Sequence, residues 1–81
     1  MTSARCNPLP GDTVILKEIP NGILDDLPIQ DQLAISEIVN KPVRLNEYDD
    51  AGRAELEFTD SEGCIHFIYV SPNLIRAANQ I

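Results

Sequence analysis

The chain has 81 residues, of which 43% are hydrophobic and 23% are charged, a composition typical of one small globular domain with a modest core. Its 13 acidic residues outweigh its 6 basic ones and give a formal net charge of −7. This balance disfavours nucleic-acid binding, because basic clusters supply most of the affinity for a phosphate backbone.

Two cysteines and the composition of the N-terminal residues bear on the compartment. Cys6 and Cys64 are too few to form a disulfide scaffold. Residues 1–10 lack the apolar segment of a secretory signal peptide, and no apolar run in the chain is long enough to cross a membrane. The sequence therefore predicts a cytoplasmic protein with free thiols and no membrane partner.

The first part of the chain reads as a lead-in followed by a strand. Residues 1–10 hold small and polar residues with two prolines and are predicted to be a flexible lead-in. The single domain is predicted over residues 11–76, and residues 77–81 form a frayed C-terminus. Within the domain, the β-branched residues in 13–17 predict the first strand.

A helix is predicted after an irregular stretch. Pro28 suits the first helical position, and Pro42 blocks continuation beyond Asn40. Ala34, Ile35 and Ile38 share one face of this helix, whereas Ile29 and Leu33 project nearly opposite. The favoured interpretation packs Ile29 and Leu33 under the preceding loop, and the alternative leaves them exposed to a partner.

Residues 43–48 alternate in polarity and predict the second strand. A four-residue loop over 49–52 then pairs Tyr48 with Arg53, Glu47 with Ala54 and Leu45 with Leu56. This register places Tyr48 on the outer face of the sheet.

The third and fourth strands are predicted to form a hairpin within 53–70. A three-residue loop over 61–63, with Gly63 in the left-handed conformation, sets Asp60 opposite Cys64 and Phe58 opposite His66. A four-residue loop would instead turn Phe67 and Tyr69 inward. We favour the first register, which gives one apolar inner face.

The remaining elements complete a recognisable order. Residues 71–74 predict a tight turn in the form of one turn of 3₁₀ helix, and residues 74–76 predict a last short strand. The fold class is therefore mostly β with one inserted helix, in the order strand, loop and helix, three strands, 3₁₀ turn, strand. This order is similar to that of a small SH3-like barrel.

The stretch 11–75 contains a further set of residues that carries a resemblance: Leu27, Pro28, Asp31, Gln32, Ala34, Ile35, Lys41, Pro42, Ala54, Glu55, Leu56, Glu57, Phe58, Asp60, Gly63, His66, Ile68, Val70, Pro72 and Ile75. Through these residues the chain resembles a set of small, uncharacterised bacterial proteins with an SH3-like barrel. This chain has Tyr69 where a tryptophan is expected. The resemblance implies the SH3-like fold and brings no activity.

The sequence contains no pattern that predicts catalysis. The four glycines are scattered at turns and form no phosphate-binding loop. Cys64 and His66 are two positions apart on one strand, too far for a direct hydrogen bond without a bend, and a structural zinc site usually needs four ligands. We therefore expect no enzyme, no metal and no cofactor, with His66 as a structural residue at the edge of the core.

The candidate functional site is the outer face of the sheet. Tyr48, Phe67 and Tyr69 are predicted to form an aromatic strip bordered by Glu55 and Glu57. If the lead-in and the helix loop leave it uncovered, such a strip suits a protein partner that carries lysine or arginine. The alternative is an accessory domain that packs on a larger protein through Ile29 and Leu33. The oligomeric state is left open.

Overall fold

The computed structural model describes residues 8–20 and 22–78. Its elements follow the predicted order: strand, helix, three strands, 3₁₀ turn and strand. They are β1 (Thr13–Leu16), α1 (Ile29–Ile38), β2 (Pro42–Tyr48), β3 (Ala54–Thr59), β4 (Ile65–Val70), the 3₁₀ turn Pro72–Leu74 and β5 (Ile75–Ala77).

The five strands form one antiparallel sheet in the order β4-β3-β2-β1-β5. Strands β1 to β4 follow one another as neighbours, except that the helix lies between β1 and β2, and β5 returns beside β1. The mostly β class with one inserted helix is confirmed. The sheet is not closed, so β4 and β5 are its two edge strands.

The hairpin between β3 and β4 has the favoured register. Leu56 lies opposite Ile68 and Phe58 lies opposite His66. The Asp60 N–H donates to the Cys64 carbonyl at 2.9 Å, and Gly63 has a φ of 87°. A three-residue turn with a left-handed glycine therefore closes the hairpin, as predicted.

The register predicted at the turn between β2 and β3 is wrong. Leu45 lies opposite Leu56 as expected, but Tyr48 lies opposite Ala54 rather than Arg53. The Asp49 N–H donates to the Arg53 carbonyl at 2.8 Å, so this turn also has three residues between its closing pair. A bulge between Leu45 and Glu47 absorbs the difference of one residue.

The helix packs one face against the inner side of the sheet. Its buried residues are those predicted, Ala34, Ile35 and Ile38. The expectation that Ile29 and Leu33 pack under the preceding loop is wrong, because they are 67% and 59% exposed. That loop packs its own apolar side chains, including Ile23 and Leu27, against the core instead.

The core joins the inner face of the sheet to the helix, and it includes the residues of β2, β3 and β4 that both hairpins were predicted to bury. Its buried members are Val14, Leu16, Ala34, Ile35, Ile38, Val43, Leu45, Ala54, Leu56, Phe58, Ile68, Val70 and Ile75.

The two ends of the chain are described only in part. The predicted lead-in falls mostly on residues 1–7, which lie outside the described residues, as do residues 79–81 of the predicted frayed C-terminus. Strand β5 reaches Ala77, and the Ala78 N–H donates to the Thr13 carbonyl. In the part of the chain that the structure describes, no helix has the length and apolarity to span a membrane.

Candidate functional site

The edge strand β4 presents three large apolar side chains to solvent. Ile65, Phe67 and Tyr69 are 58%, 53% and 43% exposed. Because alternate residues of a strand share one face, the three lie in a row, which we call the β4 strip. Phe67 and Tyr69 were predicted here, whereas Ile65 was overlooked although it has the same spacing.

Two glutamates border the β4 strip on the neighbouring strand. Glu57 lies opposite Phe67 and Glu55 lies opposite Tyr69, as predicted. The Asn46 side chain at the bulge donates a 2.9 Å hydrogen bond to Glu57 Oε1. The structure therefore brings together four of the five predicted site residues on the outer face.

Tyr69 is held between charges of opposite sign. Its hydroxyl donates to Glu55 Oε2 at 3.3 Å, and the Arg53 guanidinium carbon lies 5.3 Å from the centre of its ring. The negative charge of Glu55 is the main cause that raises the pKa of Tyr69, followed by burial and the hydrogen bond to Glu55, with smaller contributions from Glu47 and Asp49. Three acidic side chains, Glu47, Asp49 and Glu55, therefore lie close enough to act on this hydroxyl, as does Arg53.

Tyr48 does not join the β4 strip, so its predicted place in the aromatic strip is wrong. The bulge at Asn46 shifts Tyr48 to the inner face, opposite the fully buried Ala54. Its half-buried ring packs against the core, and its hydroxyl donates to the Pro8 carbonyl at 2.6 Å. Burial, aided by the Asp12 carboxylate, raises the pKa of Tyr48.

A groove runs between β4 and the helix. It has a volume of about 290 Å³ and is lined by apolar side chains from the loop, the helix and the strand, with Asp31 and His66 as its polar members. The lining residues are Ile23, Leu27, Asp31, Ile35, His66, Phe67, Ile68 and Tyr69. Phe67 and Tyr69 belong both to the β4 strip and to the lining of the groove, so the two surfaces adjoin along the same edge strand.

His66 joins the hairpin to the helix at the end of this groove. Its ring stacks on Phe58, with centroids 5.2 Å apart and planes at 14°. Its Nε2 lies 2.8 Å from Asp60 Oδ2, and its Nδ1 lies 3.5 Å from Asp31 Oδ1. With a side chain only 14% exposed, His66 has the structural position that the sequence predicted.

Asp60 is engaged on both carboxylate oxygens. Oδ2 shares the hydrogen bond with His66, and Oδ1 accepts the backbone N–H groups of Glu62 and Cys64 at 2.9 Å each. The His66 bond, together with these backbone donors, lowers the pKa of Asp60. Since these contacts are internal, the His66 and Asp60 pair secures the hairpin turn.

Cys64 is exposed, and the neighbouring carboxylates and His66 do not assemble into a metal site. Within residues 8–20 and 22–78 there is no group of three or more histidine, cysteine, aspartate or glutamate side chains placed to hold a metal ion.

A wider hollow of about 460 Å³ lies on the other side of the helix, beside β2 and β3. Charged residues of both signs line it, among them Glu37, Lys41, Arg44 and Glu57. Because these charges offset one another, the hollow offers no clear selectivity for a charged partner.

The helix carries a second exposed apolar surface, the pair Ile29 and Leu33, on the side opposite its buried residues. Leu33 also lines a hollow beside the turn between β3 and β4. Two exposed apolar surfaces are therefore candidates for the functional site: the β4 strip with its acidic border, and this helix pair.

Comparison of the chain with protein-family models, with curated proteins and with solved structures gives no match in any of the three.

Proposed function

We propose that this chain is a non-enzymatic interaction module that binds a protein partner through the β4 strip, Glu55 and Glu57. The observation that carries the proposal is the exposure of Ile65, Phe67 and Tyr69 in one row on an edge strand. Contiguous apolar side chains with a polar border are typical of protein-binding surfaces.

The charges around the strip support a partner that carries lysine or arginine. Glu55 and Glu57 border the rings, and the negative charge of Glu55 is the largest cause that raises the pKa of Tyr69. The net charge of −7 favours association with basic proteins in the same way. It also supports a module that binds no nucleic acid.

The proposal extends to architecture and compartment. The order of the strands, with a 3₁₀ turn before a last strand that pairs with β1, supports kinship with SH3-like barrels of small bacterial proteins. The cytoplasmic location expected from the sequence is part of the same proposal.

A second candidate is an accessory domain that packs on a larger protein through the helix. It is favoured by the exposure of Ile29 and Leu33. Leu33 also lies beside acidic residues, since it lines a hollow with Glu37 and Glu62. The helix nevertheless exposes two large apolar side chains where the β4 strip exposes three in one row. We therefore rank it second.

Affinity capture with two bait variants separates the candidates. Tyr69→Ala removes the ring from the β4 strip, and Leu33→Asp places a charge on the helix pair. Both side chains are exposed, so we expect neither change to disturb the core. We expect Tyr69→Ala to lose a partner that Leu33→Asp retains, and the bound fraction to fall with added salt. The reverse pattern would establish the helix surface instead.

A further inference from the structure

Strand β4 is an edge strand without the usual protection against pairing. Edge strands normally carry a lysine, a proline or a bulge that discourages a further strand. β4 reads Ile-His-Phe-Ile-Tyr-Val over six residues and pairs with β3 in one continuous register without a bulge. It is therefore open to pairing with another extended chain.

The pairing with β3 shows which backbone groups of β4 are unused. Hydrogen-bonded and non-hydrogen-bonded pairs alternate along an antiparallel ladder. Because Asp60 and Cys64 form a hydrogen-bonded pair, the pairs at His66 and Ile68 are hydrogen-bonded too. The N–H and C=O groups of Ile65, Phe67 and Tyr69 therefore point away from β3.

These outward groups have no hydrogen-bond partner among the described residues. No backbone bond from the loop or the helix reaches Ile65, Phe67 or Tyr69, and no side chain bonds to their backbone atoms. The three residues thus combine exposed side chains with backbone groups that are unpaired within the described part of the chain.

From these observations we infer that an extended segment of the partner adds to the sheet as a sixth strand along β4. The inference rests on the proposed function and defines its binding mode. The backbone of the segment bonds to Ile65, Phe67 and Tyr69. Alternate side chains enter the groove beside the helix, and the others lie beside the β4 strip.

The two faces of the added strand call for different side chains. Ile23, Leu27 and Ile35 line the groove, so residues that point inward are aliphatic. Residues that point outward are lysine or arginine, since only a long basic chain lying over Phe67 and Tyr69 can reach toward the glutamates on β3, about 10 Å from the added strand.

Charge complementarity favours such a segment over a second copy of this chain. A copy pairing through its own β4 would bring no lysine or arginine to the interface, since β4 contains neither. It would also bring a second net charge of −7. A short segment of basic and aliphatic residues brings lysine or arginine to the interface and adds no net negative charge.

The first test uses a peptide of six residues, the length of β4, that alternates lysine with valine. Titrated into the labelled full chain and followed by NMR, it should shift the amide signals of β4 and of the groove. It should also slow hydrogen exchange at the N–H groups of Ile65, Phe67 and Tyr69. A matched peptide with glutamate in place of lysine should not bind.

The second test removes one backbone donor. Chemical ligation at the natural Gly63–Cys64 junction allows a synthetic fragment 64–81 to carry an N-methyl group on Phe67. This change should leave the fold intact and weaken the lysine peptide roughly tenfold or more. N-methylation of Ile68, whose N–H bonds to β3, should instead destabilise the fold.

Three results would overturn strand addition: no binding of the lysine peptide, equal binding to the N-methyl-Phe67 chain, or self-association of the chain through β4 seen by sedimentation. If Phe67→Ala loses the peptide while N-methyl-Phe67 keeps it, the side-chain surface of the proposed function stands and only the strand addition fails. If both changes leave binding unaltered, the proposed surface fails as well.

Discussion

Asp49 and Asp60 close the two hairpin turns in the same way. In each case one carboxylate oxygen accepts the backbone N–H groups two and four residues ahead. The other oxygen holds a side chain, Arg53 for Asp49 and His66 for Asp60. Each aspartate therefore replaces backbone bonds that the tight turn leaves unmade.

Because of the bond between Asp60 and His66, we expect the free energy of unfolding to depend on pH in the acidic range. Because the folded state lowers the pKa of Asp60, its contribution is complete above the ordinary aspartate value and disappears as the pH falls through the lower folded value. Asp60→Asn should destabilise the chain at pH 7. Below about pH 4, the free energy of unfolding of this variant should fall less steeply with decreasing pH than that of the natural chain.

Urea unfolding between neutral pH and about pH 2 measures this effect. Asp50→Asn, at an exposed position of the other turn, is the matched control and should keep the slope of the natural chain. An Asp60→Asn variant that loses stability with acid as steeply as the natural chain would contradict the assignment.

Tyr48 provides a second prediction at the scale of single residues. Tyr48→Phe removes the hydroxyl bond to the Pro8 carbonyl and leaves the ring against the core. The free energy of unfolding should fall by about 1 kcal/mol. Capture of the partner should be unchanged, because Tyr48 lies on the inner face. Loss of the partner in this variant would return Tyr48 to the binding surface.

At the scale of elements, the two turns show what the sequence could predict. Both have the pattern Asp-x-x-Gly, over 49–52 and 60–63. The sequence predicts three residues for the second turn, and the register there is confirmed. It predicts four residues for the first turn, and the register near Tyr48 is wrong. The shared pattern was sufficient to assign both turns.

The bulge at Asn46 could not be predicted from the sequence. The turn fixes the pairing of Tyr48 with β3, and the core fixes the pairing of Leu45 with β3. The bulge arises because these two pairings differ in register by one residue. That conflict is visible only when both ends of the strand are placed. Because of the bulge, the Tyr48 side chain points toward the core, and Tyr48 is therefore not part of the candidate site.

Both turns should depend on their glycines. Gly52 and Gly63 have φ values of 83° and 87°, and an added Cβ would meet no heavy atom within 4 Å at either position. Alanine should therefore cost only the backbone strain, about 1–2 kcal/mol, and asparagine should cost less. Denaturant midpoints measure the effect, and an unchanged midpoint for both alanine variants would contradict this account of the turns.

At the scale of the whole molecule, the function proposed here depends on which surfaces the fold leaves open. The apolar face of the sheet and the class of fold followed from residue patterns. The exposure of Ile29 and Leu33 did not, because it depends on where the loop before the helix packs. The open edge at β4 likewise depends on the sheet not closing, which no local pattern determines.

The central claim is that the β4 strip contacts the partner, and photo-crosslinking tests it most directly. A benzophenone amino acid replaces Phe67 in one version of the full chain and Leu33 in another; both positions are exposed. Irradiation in the native cell should give a discrete crosslinked partner from position 67 that disappears when Tyr69→Ala is added. A crosslink from position 33 alone would contradict the claim.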